Sequence, residues 1–503
     1  MEAVLITRNS TTDREGNLTT SDLRLEVNLP GKIRSQSVET VPASEWSRAS
    51  IKGSHPGIPQ DTVQTDLSYK PHVLPGFSQF GTDEPNEFAT FIQGRESYLS
   101  SNTLREELED DLRSFAEKSD LTEGFMLSTP LSDGFSGFTS TFLSHSLRDE
   151  FPKSTVWTTG MIQNSLSWKR PDTDRSRNQR LINEALSVES FEEFASMLCP
   201  IQPTTPEWDD NAPWAKYLRT DLDKTEVYNA VLNQHLQSSN SELREPDCLT
   251  QIVQQLNWRG SNKIASLSGV SPMLPAEFFE GEGGIERLKK SWMDWSVLPD
   301  QEGKRSKKED IPFAQYSVVR GFELQESQAL GPLLESSTPL KEPLSQWVSL
   351  PHPYPLLPSS LPIYKGLLPS GRPLVLSRPS HSDPSTSSGL FGLPDMRYPS
   401  PSSYIVQPSS IPILTTLSTS PSTRHLLASL VGGLKELVRR KDGVLREYEE
   451  GEYGIGREGI LEVRERLETL MDNYRGGDDG DDGEGTDKDE DENWDDTEDT
   501  WDL

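Results

Sequence analysis

With 503 residues, 33% of them apolar, and a formal net charge of −31, the chain is long enough for two or three domains of about 100 to 200 residues. It is also polar enough to carry disordered additions. Charge of that sign repels phosphate backbones, which need Lys and Arg to displace their counterions, so direct nucleic-acid binding is not expected. Cys199 and Cys248, the two cysteines, cannot form a disulfide framework or a zinc site, and no apolar run approaches the roughly 20 residues that span a bilayer.

Residues 1–83 are rich in Ser, Thr, Pro and Gly with short apolar islands such as "LRLEVNL", which permits a strand or two between loose loops. The opening "MEAVLITRNSTTDREG" has no apolar signal-peptide core. Its early Glu2, Asp13 and Glu15 oppose a mitochondrial transit peptide, so any action at an organelle is expected from the cytosolic side.

Residues 84–298 change to longer amphipathic stretches and form the expected folded core. In "TLREELEDDLRSFAEKSD", Leu104, Leu108, Leu112 and Phe115 recur at spacings of three and four, the stripe of a surface helix. "GFMLSTPL" follows as a short buried strand, and then a glycine cluster. "SGFTSTFLSHSLRDEF" reads as a helix with Phe138, Phe142, Leu143 and Leu147 inward. In an α/β sheet, the order strand, glycine loop, helix leaves helix N-terminal amides at the carboxyl end of a strand, where an anion can bind.

Residues 299–350 are expected to be a smaller α+β segment, entered through the charged loop "PDQEGKRSKKEDIP". Residues 351–421 hold 15 of the 37 prolines, a density that opposes long helices and sheet interiors and favours irregular connections with a few edge strands over 351–424. Residues 425–475 read as two amphipathic helices. Leu426, Leu427, Leu430, Leu434 and Leu437 mark the first, and Ile460, Val463, Leu467 and Leu470 the second. Residues 476–503 carry fifteen acids and one lysine, a composition that cannot fold alone. They can act as a solvated brush or dock basic partners, with Trp494 and Trp501 as anchors.

No Walker A loop, metalloprotease helix, nucleophile elbow or kinase signature is present, and the seven histidines are scattered. The chemistry therefore rests on the loop "SDGFSGFTS". Gly134 and Gly137 allow close backbone approach, and Ser136, Thr139 and Ser140 offer hydroxyls to phosphate oxygens. A helix N-cap turn beginning at Asp133 needs much the same residues.

The segment "EKSDLTEGFMLSTPLSDGFSGFTSTFLSHSLRDEFP" resembles the part of tubulins in which a Gly-Phe strand leads into the phosphate loop and a helix ending in an acid, an aromatic and Pro. Gly124, Phe125, Glu150, Phe151 and Pro152 stand at those places. "EVYNAVLNQHLQSSN" is similar to the later tubulin helix and puts Tyr228 and Asn229 on the ribose and base side. The Asp-Gly-Phe-Ser-Gly loop at 133–137, "ELEDDLRSF", "LCP", "FAQYSVVRGF", "IPILTTLSTSPSTRHLL" and "YRGGD" resemble the Misato family of tubulin-like proteins. The implied fold is a tubulin-like α/β core with a smaller α+β middle domain, a C-terminal helical pair and a disordered acidic tail.

The chain departs from that family at its N-terminus, shortened or divergent: residues 1–50 lack the first strand and its Gly-x-x-x-x-x-x-Gly loop. Asp133 and Phe135 stand where tubulins have glycines. The base-reading Asn falls at Pro246 or Asp247, and Glu277 and Glu280 do not match the spacing of the hydrolysis loop. The resemblance implies a non-enzymatic protein of mitochondrial partitioning, distribution and morphology and of mitochondrial DNA inheritance. It would sit on the cytosolic face of mitochondria and in the cytoplasm, with protein partners on that surface or the cytoskeleton. A GTP-binding filament and a chaperonin-linked factor of tubulin or actin biogenesis are the alternatives. No cofactor is expected, GTP belonging to the filament alternative alone, and the loop 133–139 is expected to be vestigial.

Overall fold

A computed structural model describes residues 2–12, 18–28, 71–73, 88–117, 121–162, 174–202, 215–219, 227, 230–232, 234–236, 249–273, 287–288, 291–296, 312–322, 345–356, 363–367, 408–440, 442–449 and 452–475. Six strands form one sheet in the order β3-β2-β1-β4-β5-β6. They are β1 (Glu2–Thr12), β2 (Leu18–Asn28), β3 (Pro71–Val73), β4 (Leu121–Pro130), β5 (Val156–Met161) and β6 (Met197–Ile201). β4, β5 and β6 run parallel. A strand therefore does flank β4 on the N-terminal side, but β1 lies antiparallel to it and makes an antiparallel ribbon with β2.

Residues alternate between the faces of the parallel strands. Phe125, Leu127, Val156 and Leu198 face a core shared with helices, whereas Met126, Trp157, Met197 and Cys199 face a second core. Burial on both faces is what parallel strands require. The first core is built by α1 (Phe91–Ser100), α2 (Asn102–Glu117), α3 (Gly134–Phe142), α4 (Asp174–Phe194), α6 (Thr423–Arg440) and α7 (Gly456–Asn473). In α2 the buried residues are Leu104, Leu108, Leu112 and Phe115, the stripe read from spacing. The two C-terminal helices match the expected pair and pack on α4.

The second core joins α5 (Leu249–Leu256) to a five-stranded sheet ordered β10-β9-β13-β7-β8. Its strands are β7 (Ser266–Val270), β8 (Met293–Asp294), β9 (Ala314–Arg320), β10 (Ser345–Leu350) and β13 (Ile413–Thr419). A two-stranded pair, β11 (Tyr354–Pro355) and β12 (Ser410–Ile411), lies beside them. This sheet takes strands from both sides of the expected boundary at 298. β13 also departs from the edge position expected in the proline-rich segment: it lies between β9 and β7 and is buried along nearly its whole length. The prolines leave it intact because Pro412 precedes the strand and none falls within it, so every ladder amide is retained.

Candidate functional site

Strands β4, β5 and β6 end level with one another. The Leu131 amide donates to the Met161 carbonyl at 2.8 Å, and the Ile162 amide to the Ile201 carbonyl at 2.8 Å. The glycine loop leaves this carboxyl edge and enters α3, as its residues imply. Asp133 is the N-cap: its Oδ1 accepts from the Phe135 amide at 3.0 Å. Desolvation pushes its carboxyl up to about 7 against the downward pull of that amide.

The amides a phosphate would need are bound within the chain. Gly134 N donates to the Phe88 carbonyl at 3.1 Å, Phe135 N to the Asp133 side chain, and Ser136 N to the Asp133 carbonyl at 3.2 Å. The hydroxyls are engaged too: Ser136 Oγ donates to Asp133 O at 2.7 Å, and Thr139 Oγ1 lies 3.2 Å from Thr129 Oγ1. The Phe88 ring meets Phe135 edge-on with centroids 5.1 Å apart. As it stands, this loop does not fit a phosphate group.

The glycines serve another contact. A Cβ on Gly137 would lie 1.9 Å from the Phe91 carbonyl oxygen, and one on Gly94 would lie 1.8 Å from the Gly134 carbonyl oxygen. Missing side chains thus let α1 and α3 touch backbone to backbone, where the sequence suggested room for phosphate oxygens.

Residues 88–91 are strapped over the loop by Asn183 of α4. Asn183 is fully buried, and its Nδ2 donates to Ala89 O at 2.7 Å and Ser132 O at 2.9 Å. Its Oδ1 accepts from Phe91 N at 2.8 Å and from the Tyr448 hydroxyl at 2.7 Å. All four hydrogen-bonding positions of the amide are filled. Sequence reading missed Asn183. Its signal was a polar residue at 183, with Ser187 four later, on the same helix side as Ile182 and Leu186.

Tyr228, Asn229, Pro246, Asp247, Glu277 and Glu280 lie outside the described residues. A different residue draws notice at the carboxyl edge. Gln202, just past β6, is 1% exposed, and neither its Nε2 nor its Oε1 has a hydrogen-bond partner among the described residues. Among the described residues no group of His, Cys, Asp and Glu is arranged to hold a metal, and no helix is long and apolar enough to cross a membrane.

A family model described as a tubulin domain matches residues 65–235. Protein DML1 of Gibberella zeae is 30% identical over 187 residues, covering 36% of this chain and 35% of that protein. Protein dml-1 of Neurospora crassa is 23% identical over 258 residues, covering 45% and 46%. The chain thus spans less than half the length of these two fungal relatives. Protein misato homolog 1 of Homo sapiens is 25% identical over 507 aligned residues, which cover 92% of this chain and 82% of that protein. The strand, glycine loop and helix at the carboxyl edge fall inside the tubulin match, and the misato alignment carries the likeness across nearly the whole chain, which is thus similar both to tubulin domains and to the Misato and DML1 proteins.

Proposed function

We propose that this chain is a non-enzymatic, tubulin-like scaffold on the cytosolic face of mitochondria and in the cytoplasm. There it serves the distribution, morphology and partitioning of the organelle and the inheritance of its DNA. The mitochondrial half of this reading is supported by kinship with misato homolog 1 and DML1. The non-enzymatic half is carried by one observation: the amides of Gly134, Phe135 and Ser136 are held by Phe88 and Asp133 of the chain itself. A net charge of −31 makes any effect on mitochondrial DNA indirect, through protein partners at the mitochondrial surface or the cytoskeleton.

A second reading, a GTP-binding filament protein, is favoured by the buried side-chain amide of Gln202 at the same edge, which has no partner among the described residues. Cell fractionation and depletion separate these readings. The scaffold reading expects the protein to sediment with mitochondria, to be released by high salt as a peripheral protein, and to leave a clumped or fragmented network when depleted. Assembly into GTP-dependent polymer, or stable co-purification with chaperonin without mitochondrial enrichment, would overturn it.

A further inference from the structure

The described chain ends beside a surface feature that the scaffold reading does not use. Trp258, in the turn after α5, is the one large exposed hydrophobic side chain among the described residues, at 47%. Its Nε1 donates to the Phe313 carbonyl at 3.1 Å. The Arg259 guanidinium lies 5.2 Å from the Trp258 ring centroid and 4.1 Å from that of Phe313. Phe313 in turn meets Tyr474, with centroids 6.3 Å apart.

Tyr474 precedes Arg475, the last described residue, and is wired to the same turn. Its hydroxyl accepts from Ile264 N at 2.7 Å, and Asn262 Nδ2 donates to Asn473 O at 3.0 Å. Residues 476–503, with fifteen acids, one lysine, Trp494 and Trp501, therefore leave the fold two ring contacts away from an exposed Trp and Arg.

Other cations near the exit are paired. Lys263 pairs with Glu192, Arg466 with Glu189 and Glu193, and Arg475 with Asp472. Arg259 is exposed and, among the described residues, has no carboxylate partner. Guanidinium stacked on an aromatic face stays charged and keeps its edge donors for a carboxylate.

We propose that the Trp258–Arg259 turn is the docking site for the chain's own acidic segment, residues 476–503, seated from the same molecule. A tethered segment meets such a site at an effective concentration on the order of millimolar. A contact with a Kd on the order of 1 mM is then half filled, so one guanidinium–carboxylate pair and one aromatic contact suffice.

The test uses the full chain with Trp258 exchanged for photoreactive benzoylphenylalanine, mixed from light and heavy isotope preparations. The expected result is crosslinking to residues 476–503 of the same molecule, without mixed-isotope products. Yield should fall at least fivefold on Arg259→Glu and in 1 M salt, where the Debye length shrinks to about 3 Å. Because Arg259 is exposed, its thermal midpoint should not move, which separates loss of docking from loss of fold. Crosslinks to other segments, mixed-isotope products from a second copy, or a yield indifferent to Arg259→Glu each overturn the proposal.

Discussion

Gly137→Ala separates a loop built for packing from a loop built for phosphate. The added Cβ would sit 1.9 Å from the Phe91 carbonyl oxygen and 2.7 Å from its carbonyl carbon. Carbon and carbonyl oxygen make contact at about 3.3 Å, so the two backbones must part by roughly 1.4 Å, with no rotamer available to absorb the shift. Lifting α1 would strain the Phe88–Phe135 and Tyr98–Phe138 edge contacts. Overpacking of this kind costs about 1–3 kcal/mol. Replacing a mid-helix glycine returns about 0.5–1 kcal/mol, which leaves a net loss on the order of 1–2 kcal/mol. Gly432, exposed in α6 with nothing within 4 Å of its Cβ position, supplies the opposite case: Gly432→Ala should gain about 0.5–1 kcal/mol. Calorimetric unfolding without nucleotide should therefore shift the two variants in opposite directions. A Gly137→Ala protein as stable as wild type would refute the packing argument and restore room at the loop.

His235 is fully buried, with Nδ1 2.9 Å from Thr415 Oγ1, and desolvation pulls its pKa down to about 3. The folded pKa lies below the unfolded value, so the unfolded chain takes up a proton first as pH falls through about 6.5, and stability is lost from there toward pH 3. Between pH 7 and 5 this amounts to about 2 kcal/mol; His235→Gln should flatten that part of the urea-denaturation profile, and an unchanged slope would count against the burial. Tyr448→Phe removes the hydroxyl that binds Asn183 while keeping the ring, and should cost about 1–2 kcal/mol with faster hydrogen exchange at the Phe91 amide. The buried Cys199 thiol, pushed up to about 12 by desolvation, should resist iodoacetamide at pH 8 in native protein and react only on unfolding, as read by peptide mass spectrometry.

Local periodicity made part of this fold legible. The α2 stripe, the strand–loop–helix order and the C-terminal pair follow from spacings within one element, where each apolar residue reports its own face. The interior position of β13 was hidden because proline acts only where its ring replaces an amide, and an average over 351–421 blurs that. The strap was hidden for a different reason. Phe91 and Asn183 are 92 residues apart, and the partner that fills the space around Gly134 and Gly137 comes from an earlier helix. Glycine at a helix start signals close approach without saying what approaches. The motif was compatible with a phosphate as well as with a helix N-cap, and a neighbouring backbone fills the space.

Titration of the purified full-length chain with a fluorescent GTP analogue and Mg²⁺, alongside Asp133→Asn, bears on whether the self-satisfied loop leaves a scaffold rather than a nucleotide switch. Asparagine keeps the N-cap and removes the carboxylate. The expected result is no saturable binding to either protein up to concentrations of roughly 100 µM, well past the micromolar range of a working site. Saturable micromolar binding to the wild-type chain would mean that Phe88 and Asp133 yield the amides of Gly134, Phe135 and Ser136 to phosphate, and would contradict the scaffold reading.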